Sequence, residues 1–142
     1  MKAKYLFVIL LLITVVAIIS SCQSESEQMF NRYYTSGAML YQGKCQNCHG
    51  MNGEGLGQLI PPFSDSVYLK KNIATLPCFI KNGANGPITV AGKTFNSKMP
   101  AQDNLSAIEV AEILTYVTNS FGNKLGLVDA PKVTADLAAC AN

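Results

Sequence analysis

Cys45-Gln46-Asn47-Cys48-His49 is the stretch of this 142-residue chain that decides its fold. The two thiols are spaced so that they can add to the two vinyl groups along one edge of a haem. The histidine that follows directly can then reach the iron from the same side. The motif therefore predicts one covalently attached haem c, held by Cys45 and Cys48 and ligated through its iron by His49.

The cysteine pair has two other interpretations, a thioredoxin-like redox site and half of a zinc site. A thioredoxin-type pair follows a strand and opens a helix, whereas this pair closes a predicted helix. Zinc would need two further ligands, and four-cysteine sites usually consist of two close pairs. The other candidates, Cys78 and Cys140, are far apart in the sequence. Haem therefore fits the pattern better than either alternative.

The second iron ligand is predicted by elimination. His49 is the single histidine of the chain, so ligation by two histidines is excluded. Met51 is too close to His49 to reach the opposite face of a haem, and Met29 and Met39 belong to the first predicted helix. Met99, in a loop before the last predicted helix, is the expected sulfur ligand. The alternative for Met99 is the commoner one for a methionine, which is to fill space in a core.

The N-terminal segment predicts export. Residues 5–19 are almost wholly apolar and follow Lys2 and Lys4, as in a signal peptide, and the run is too short to span a bilayer comfortably. Small residues lead into Cys22, which resembles the lipobox of bacterial lipoproteins. We expect a signal peptide at 1–21 and a polar tether at 22–28 that begins with lipidated Cys22. The alternatives are an uncleaved signal anchor, or cleavage elsewhere with Cys22 an ordinary thiol.

The formal net charge argues against a nucleic acid as partner. Without Lys2 and Lys4, nine of the eleven basic residues remain against nine acidic ones. The mature chain is therefore formally neutral and has no basic cluster, so nucleic-acid binding is not expected.

Periodicity predicts a mostly helical domain with long loops. A first helix runs from Met29 to about Cys45, short helices follow near 64–71 and 75–81, and residues 88–90 and 93–95 form a small hairpin. The last helix starts with a capping box of Ser106 and Glu109, carries an apolar stripe to Phe121 and is expected to end at Gly122. The pattern leaves the structure of residues 126–142 undefined. Loops this long need a surface to pack against, which a buried cofactor would supply.

These features together resemble class I cytochrome c over residues 29–126. The resemblance implies an all-α domain whose first and last helices cross around the covalently bound haem, with Gly37 meeting Tyr116 and a small hairpin before the Met99 loop. It also implies that the Pro61 carbonyl orients His49 by a hydrogen bond. Loop rigidity is the alternative role for Pro61. Segments 61–63, 77–83 and 120–126 are further similar to small lipoprotein cytochromes of the Bacteroidetes type.

The resemblance also suggests a use for the remaining thiols. Cys78 and Cys140 are left once lipid and haem are assigned, and two leftover cysteines in an oxidising compartment are expected to pair. A disulfide would pin the C-terminal tail, residues 127–142, to the segment near the haem. Two buried free thiols are the alternative.

The expected function is one-electron transfer by a monohaem cytochrome that acts on no substrate of its own. Ligation by His49 and Met99 leaves the iron no open position. We expect a lipid-anchored protein facing the periplasm or exterior of a bacterial membrane, with redox proteins of a membrane electron-transfer chain as partners. The alternatives are a haem subunit of a larger membrane redox enzyme and, if Met99 does not bind the iron, a gas-binding sensor or peroxidase.

Overall fold

The computed structural model describes residues 2–20 and 24–140 of the chain, so Cys22 lies outside the described residues. The elements in chain order are α1 (Lys2–Ser20), α2 (Glu25–Lys44), α3 (Gln46–His49), α4 (Ser66–Lys71), α5 (Leu76–Asn82), β1 (Ile88–Val90), β2 (Lys93–Phe95), α6 (Ala107–Val117) and α7 (Ala130–Ala138). Helices dominate, and the two strands form one small sheet. The all-α prediction with a small hairpin is confirmed.

The predicted signal segment forms α1, whose apolar side chains from Tyr5 to Ile13 are exposed. Throughout the part of the chain that the structure describes, no helix has both the length and the apolar character needed to cross a membrane.

The helix α2 begins earlier than predicted. The Ser24 hydroxyl accepts a hydrogen bond from the Glu27 amide at 3.3 Å, which makes Ser24 an N-cap. Glu25 and Glu27 place negative charge in the first turn, where the helix dipole favours it. Residues 25–28, predicted as a tether, are therefore helical and exposed.

The contact between α2 and α6 confirms the predicted pairing of Gly37 with Tyr116. A Cβ atom at Gly37 would lie 2.9 Å from Tyr116 Cβ and closer still to the Glu112 backbone. The Tyr116 ring then packs on Tyr34 and Tyr41 of α2, with ring centres 5.2 and 5.3 Å apart. Glycine is required here because the helices approach through their backbones.

The helix α6 begins where predicted but ends earlier than predicted. Ser106 and Glu109 form the capping box, with the Ser106 amide donating to the Glu109 carboxylate at 2.8 Å. The helix ends at Val117 instead of near Gly122. The Leu114 carbonyl accepts hydrogen bonds from the Thr118 amide at 2.9 Å and the Thr118 hydroxyl at 2.7 Å, and the residues that follow form a turn. Phe121 consequently lies beyond the helix with a positive φ of 57°.

The hairpin is confirmed in register and turn. Ile88 pairs with Phe95, and the turn at Ala91 and Gly92 uses positive φ angles of 49° and 73°. The Asp65 carboxylate accepts hydrogen bonds from the Tyr68 amide at 3.0 Å and the Ala91 amide at 2.8 Å. This one side chain therefore caps α4 and ties the hairpin turn to it.

The tail, left undefined by the pattern, contains the helix α7. Asp129 caps its start, and Val133 is fully buried against the core. The buried Thr115 hydroxyl of α6 donates to the Val128 carbonyl and accepts from the Val128 amide, both at 3.1 Å. A disulfide joins Cys78 of α5 to Cys140, with their Cα atoms 5.7 Å apart and the two residues 62 positions apart in sequence. The tail is thus packed onto α5 and α6.

Candidate functional site

A cavity of about 1140 Å³, including the part open to solvent, lies beside α6. Its walls are mostly aliphatic and aromatic side chains from the 59–63 loop, α4, α5, the hairpin and α6. The five residues predicted for the cofactor all line this cavity: Cys45, Cys48, His49, Pro61 and Met99. The structure therefore brings together residues that are up to 54 positions apart in the sequence.

The short helix α3 presents the motif to the cavity. Cys45 ends α2 and directly precedes α3, so Cys48 and His49 follow within one turn. The His49 amide donates to the Cys45 carbonyl at 2.9 Å. Cys45 is half-buried and Cys48 exposed, and neither is in a disulfide. Both sulfurs are thus free to form thioether bonds.

The Cys45 thiol lies in a partly buried environment. Burial, with a smaller contribution from the neighbouring Cys48, raises the pKa of Cys45 to about 11. Within residues 2–20 and 24–140, no group of three or more His, Cys, Asp or Glu side chains could hold a metal ion.

His49 is held as a buried, neutral imidazole. Its ring is 8% exposed and stacks on the Phe63 ring, with centres 4.3 Å apart. Burial lowers the pKa of His49, and the Pro61 backbone carbonyl partly opposes this effect. Nδ1 is buried, and no acceptor in the described chain reaches it with full hydrogen-bond geometry, so the contact with Pro61 is weak. A neutral imidazole is the form that can bind a metal.

Glycines shape the loop that brings Pro61 to His49. The Gly55 amide donates to the His49 carbonyl at 2.8 Å. A Cβ atom at Gly55 would lie 2.9 Å from the Pro61 carbonyl oxygen, and one at Gly53 would meet the Phe121 ring at 2.6 Å. Both glycines also have positive φ angles, 71° and 64°. Side chains at these positions would push the loop away from the histidine.

Tyr41 of α2 fixes the other side of this loop. Its side chain is 1% exposed, and its hydroxyl donates to the Gly50 carbonyl at 2.6 Å. Burial is the main reason that the pKa of Tyr41 is raised, so the hydroxyl stays protonated as a donor. The helical periodicity places Tyr41 on the first helix but does not indicate this contact.

Met99 is half-buried at the cavity and held by its backbone. Its amide donates to the Ala84 carbonyl at 2.9 Å, and the Ala84 amide donates back to the Met99 carbonyl at 3.1 Å. A Cβ atom at Gly83 would lie 2.5 Å from the Met99 carbonyl oxygen, so only glycine lets the two segments pair this closely. The loop is therefore anchored next to the end of α5.

Asn123 is a further structural residue of the site that the sequence analysis missed. It is 3% exposed, and its side-chain amide donates to the carbonyls of Phe63 at 2.7 Å and Ser120 at 2.9 Å. Asn123 thereby fixes the backbone of Phe63, whose ring stacks on His49. No sequence pattern marks this role, because the acceptors are backbone carbonyls.

These observations fit a large, flat, apolar group attached through two thioethers. The cavity walls are mostly apolar, and two sulfurs outside any disulfide line the cavity together with an imidazole and a methionine thioether. Histidine and methionine are residues that would suit a haem iron.

Comparison with known proteins agrees with this description. A family model described as Cytochrome c matches residues 34–120, which is more than half of the chain. Over 91 residues the chain is 30% identical to cytochrome c-552 of Thermus thermophilus, covering 61% of this chain and 69% of that protein.

A second group of relatives is larger. The chain is 29% identical over 100 residues to the cytochrome c subunit of quinone alcohol dehydrogenase from Gluconacetobacter polyoxogenes, and equally to that from Komagataeibacter europaeus. The match covers 69% of this chain but only 21% of each subunit. The chain thus spans about a fifth of the length of these relatives.

Proposed function

This chain belongs to the cytochrome c family, and we propose that it is a one-electron carrier in which His49 and Met99 are the axial ligands of the haem iron. Electron transfer and a covalently bound haem c follow from the family. The assignment of ligands to these two residues is supported by one observation above all. A single apolar cavity is lined by both side chains and by the two cysteines of the motif.

Each residue has a defined task in this proposal. The bound haem supplies an iron that gains or loses one electron. Cys45 and Cys48 hold the haem edge through thioethers, and His49, kept neutral by burial, offers a ring nitrogen to the iron. Met99 would hold the iron through its thioether, and methionine ligation raises the reduction potential of a haem. The apolar walls keep water from the iron, so a change of charge causes little rearrangement.

The decisive experiment compares Met99→Ala with Met39→Ala in the haem-loaded protein. Met39 is 65% exposed on α2 and serves as the matched control. We expect the wild type and Met39→Ala to show the ferric sulfur-to-iron charge-transfer band and no carbon monoxide binding. Met99→Ala should lose the band and bind carbon monoxide in the ferrous state. A wild-type protein that is high-spin and binds carbon monoxide would instead favour a sensor or enzyme.

We further propose that the carrier is exported and anchored by lipid at Cys22. The basic start, the apolar segment that forms α1 and the small residues before Cys22 support this proposal. Mass spectrometry of the membrane fraction should find a mature N-terminus at Cys22 that carries acyl chains, and Cys22→Ala should abolish the acylation. Recovery of Cys22→Ala with unchanged lipid content would contradict the anchor.

A second candidate role is that of haem subunit in a larger redox enzyme. Similarity to the cytochrome c subunit of quinone alcohol dehydrogenase favours it, although the chain covers only 21% of that relative. Purification under mild detergent discriminates between the roles. A carrier is recovered alone, whereas a subunit is recovered in fixed proportion with the same membrane proteins.

A further inference from the structure

We propose that Lys81 is a positioning residue for Met99, because it fastens the loop that follows Met99 to the end of α5. The inference rests on the proposed role of Met99 as iron ligand. Lys81 does not line the cavity, so it would act on Met99 through the loop.

The contacts of Lys81 are unusual for a lysine near the surface. Its ammonium donates to two backbone carbonyls, those of Asp103 at 2.5 Å and Leu105 at 2.7 Å. The bond to Leu105 is partly buried, and Leu105 itself is 3% exposed, whereas the bond to Asp103 is exposed to solvent. In the described part of the chain no carboxylate lies within ion-pair distance of Lys81. The ammonium is therefore committed to the loop backbone.

Neighbouring residues of the same segment complete the attachment. The Ile80 carbonyl accepts from the Gln102 amide at 2.9 Å. Ala84 exchanges two backbone hydrogen bonds with Met99. Residues 80–84 thus hold the loop at Met99, at Gln102 and, through Lys81, at residues 103–105. Of these attachments, the one through Lys81 is made by a side chain and can be removed by substitution.

Under this proposal, Lys81 increases the fraction of molecules in which Met99 is bound to the iron. An external ligand can bind only in the fraction of molecules in which the loop has opened, so its apparent affinity reports that fraction. Hydrogen bonds from a charged donor are about twice as strong as neutral ones. Losing both should increase the open fraction markedly.

The test uses the full haem-loaded chain with Lys81→Met, which keeps the side-chain length and removes the ammonium. We expect imidazole to bind the ferric protein about tenfold more tightly or more, with a weaker charge-transfer band. Lys81→Arg should restore the wild-type band, because its guanidinium can still donate to both carbonyls. Lys81→Gln, which keeps a shorter neutral donor, should give an intermediate affinity and serves if Lys81→Met fails to mature.

Two controls separate positioning from general stability. Lys124→Met removes an exposed charge that makes no hydrogen bond or ion pair within the described residues, and should leave imidazole binding unchanged. Thr115→Val removes the paired hydrogen bonds between α6 and Val128. It should lower the free energy of unfolding without changing imidazole affinity.

The outcomes distinguish this inference from the proposed function. A Lys81→Met protein that is less stable yet binds imidazole like the wild type would overturn the positioning role. If the wild type itself lacks the charge-transfer band and resembles Met99→Ala, then Met99 is not the ligand and both proposals fail. If the wild type shows the charge-transfer band and Lys81→Met binds imidazole with unchanged affinity, only the positioning role of Lys81 is refuted.

Discussion

Gly37 of α2 lies against the backbone of Glu112 of α6, so closely that a Cβ atom at Gly37 would fall 2.6 Å from the Glu112 carbonyl carbon. The separation is set by two backbones, which cannot move aside as a flexible side chain could. The α2–α6 contact positions both the motif at the end of α2 and the α6 residues that line the cavity, Ile113, Leu114 and Val117. The haem pocket therefore depends on the absence of one methyl group.

Gly37→Ala is expected to destabilise the haem-loaded protein by about 3 kcal/mol, because the helices must separate. Gly43→Ala is the matched control on the same helix, since a Cβ atom there meets nothing within 4 Å. It should stabilise the protein by about 0.5–1 kcal/mol through the better helix propensity of alanine. Denaturant unfolding measures both. Equal effects of the two substitutions would show that the close contact carries no energetic weight.

Removing the Cys78–Cys140 disulfide is expected to reduce the free energy of unfolding by about 4 kcal/mol, because the unfolded chain gains the freedom of a long loop. The loop spans 62 residues of sequence. Guanidinium unfolding of the Cys78→Ser, Cys140→Ser double variant should give this loss relative to the oxidised wild type. With the iron kept ferrous in all samples, the wild type whose disulfide has been reduced should have the same free energy of unfolding as the variant. An unfolding midpoint that is unaffected by the double substitution would contradict the cross-link.

Acid sensitivity is expected to depend partly on Asp65. Hydrogen bonds from the Tyr68 amide and then the Ala91 amide lower the pKa of Asp65 below its ordinary value of 3.8. A carboxyl group with a lowered folded-state pKa contributes stability above that ordinary value and loses it as the pH falls through the folded-state pKa.

Asp65→Asn should therefore flatten the decline in unfolding temperature as the pH falls from about 5 to about 2. Asparagine can still cap α4 through its carbonyl oxygen, so a remaining cost would come from the lost bond to Ala91. A slope that is identical in Asp65→Asn and the wild type would contradict the prediction.

Local signals in the sequence identified the elements whose boundaries depend on nearby residues. The hairpin turn at Ala91 and Gly92 and the capping box at Ser106 are examples, because their hydrogen bonds join residues a few positions apart. The end of α6 was misplaced because Phe121 fits the apolar stripe of the helix although it lies beyond the helix with a positive φ. The helix α7 was missed because Val133 is its single fully buried apolar residue, too weak a pattern to predict a helix.

The residues of the candidate site also fall into two groups, those that the sequence predicted and those that it did not. Cys45, Cys48 and His49 form a contiguous motif, and Met99 followed from the lack of a second histidine. The supporting contacts made by Lys81 and Asn123 could not be predicted, because their partners are backbone carbonyls. A backbone carbonyl has no residue type by which a sequence could reveal it.

The short helix α5 links the tail to the haem side of the molecule. Cys78 lies in its first turn and is bonded to Cys140, two residues beyond the end of α7. Ala84, the pairing partner of Met99, lies two residues beyond the end of α5. The seven residues of α5 therefore lie between the covalent attachment of the tail and the backbone pairing of Met99. Under the proposed ligation by Met99, the disulfide and the sulfur ligand would share one structural support, the helix from residue 76 to residue 82.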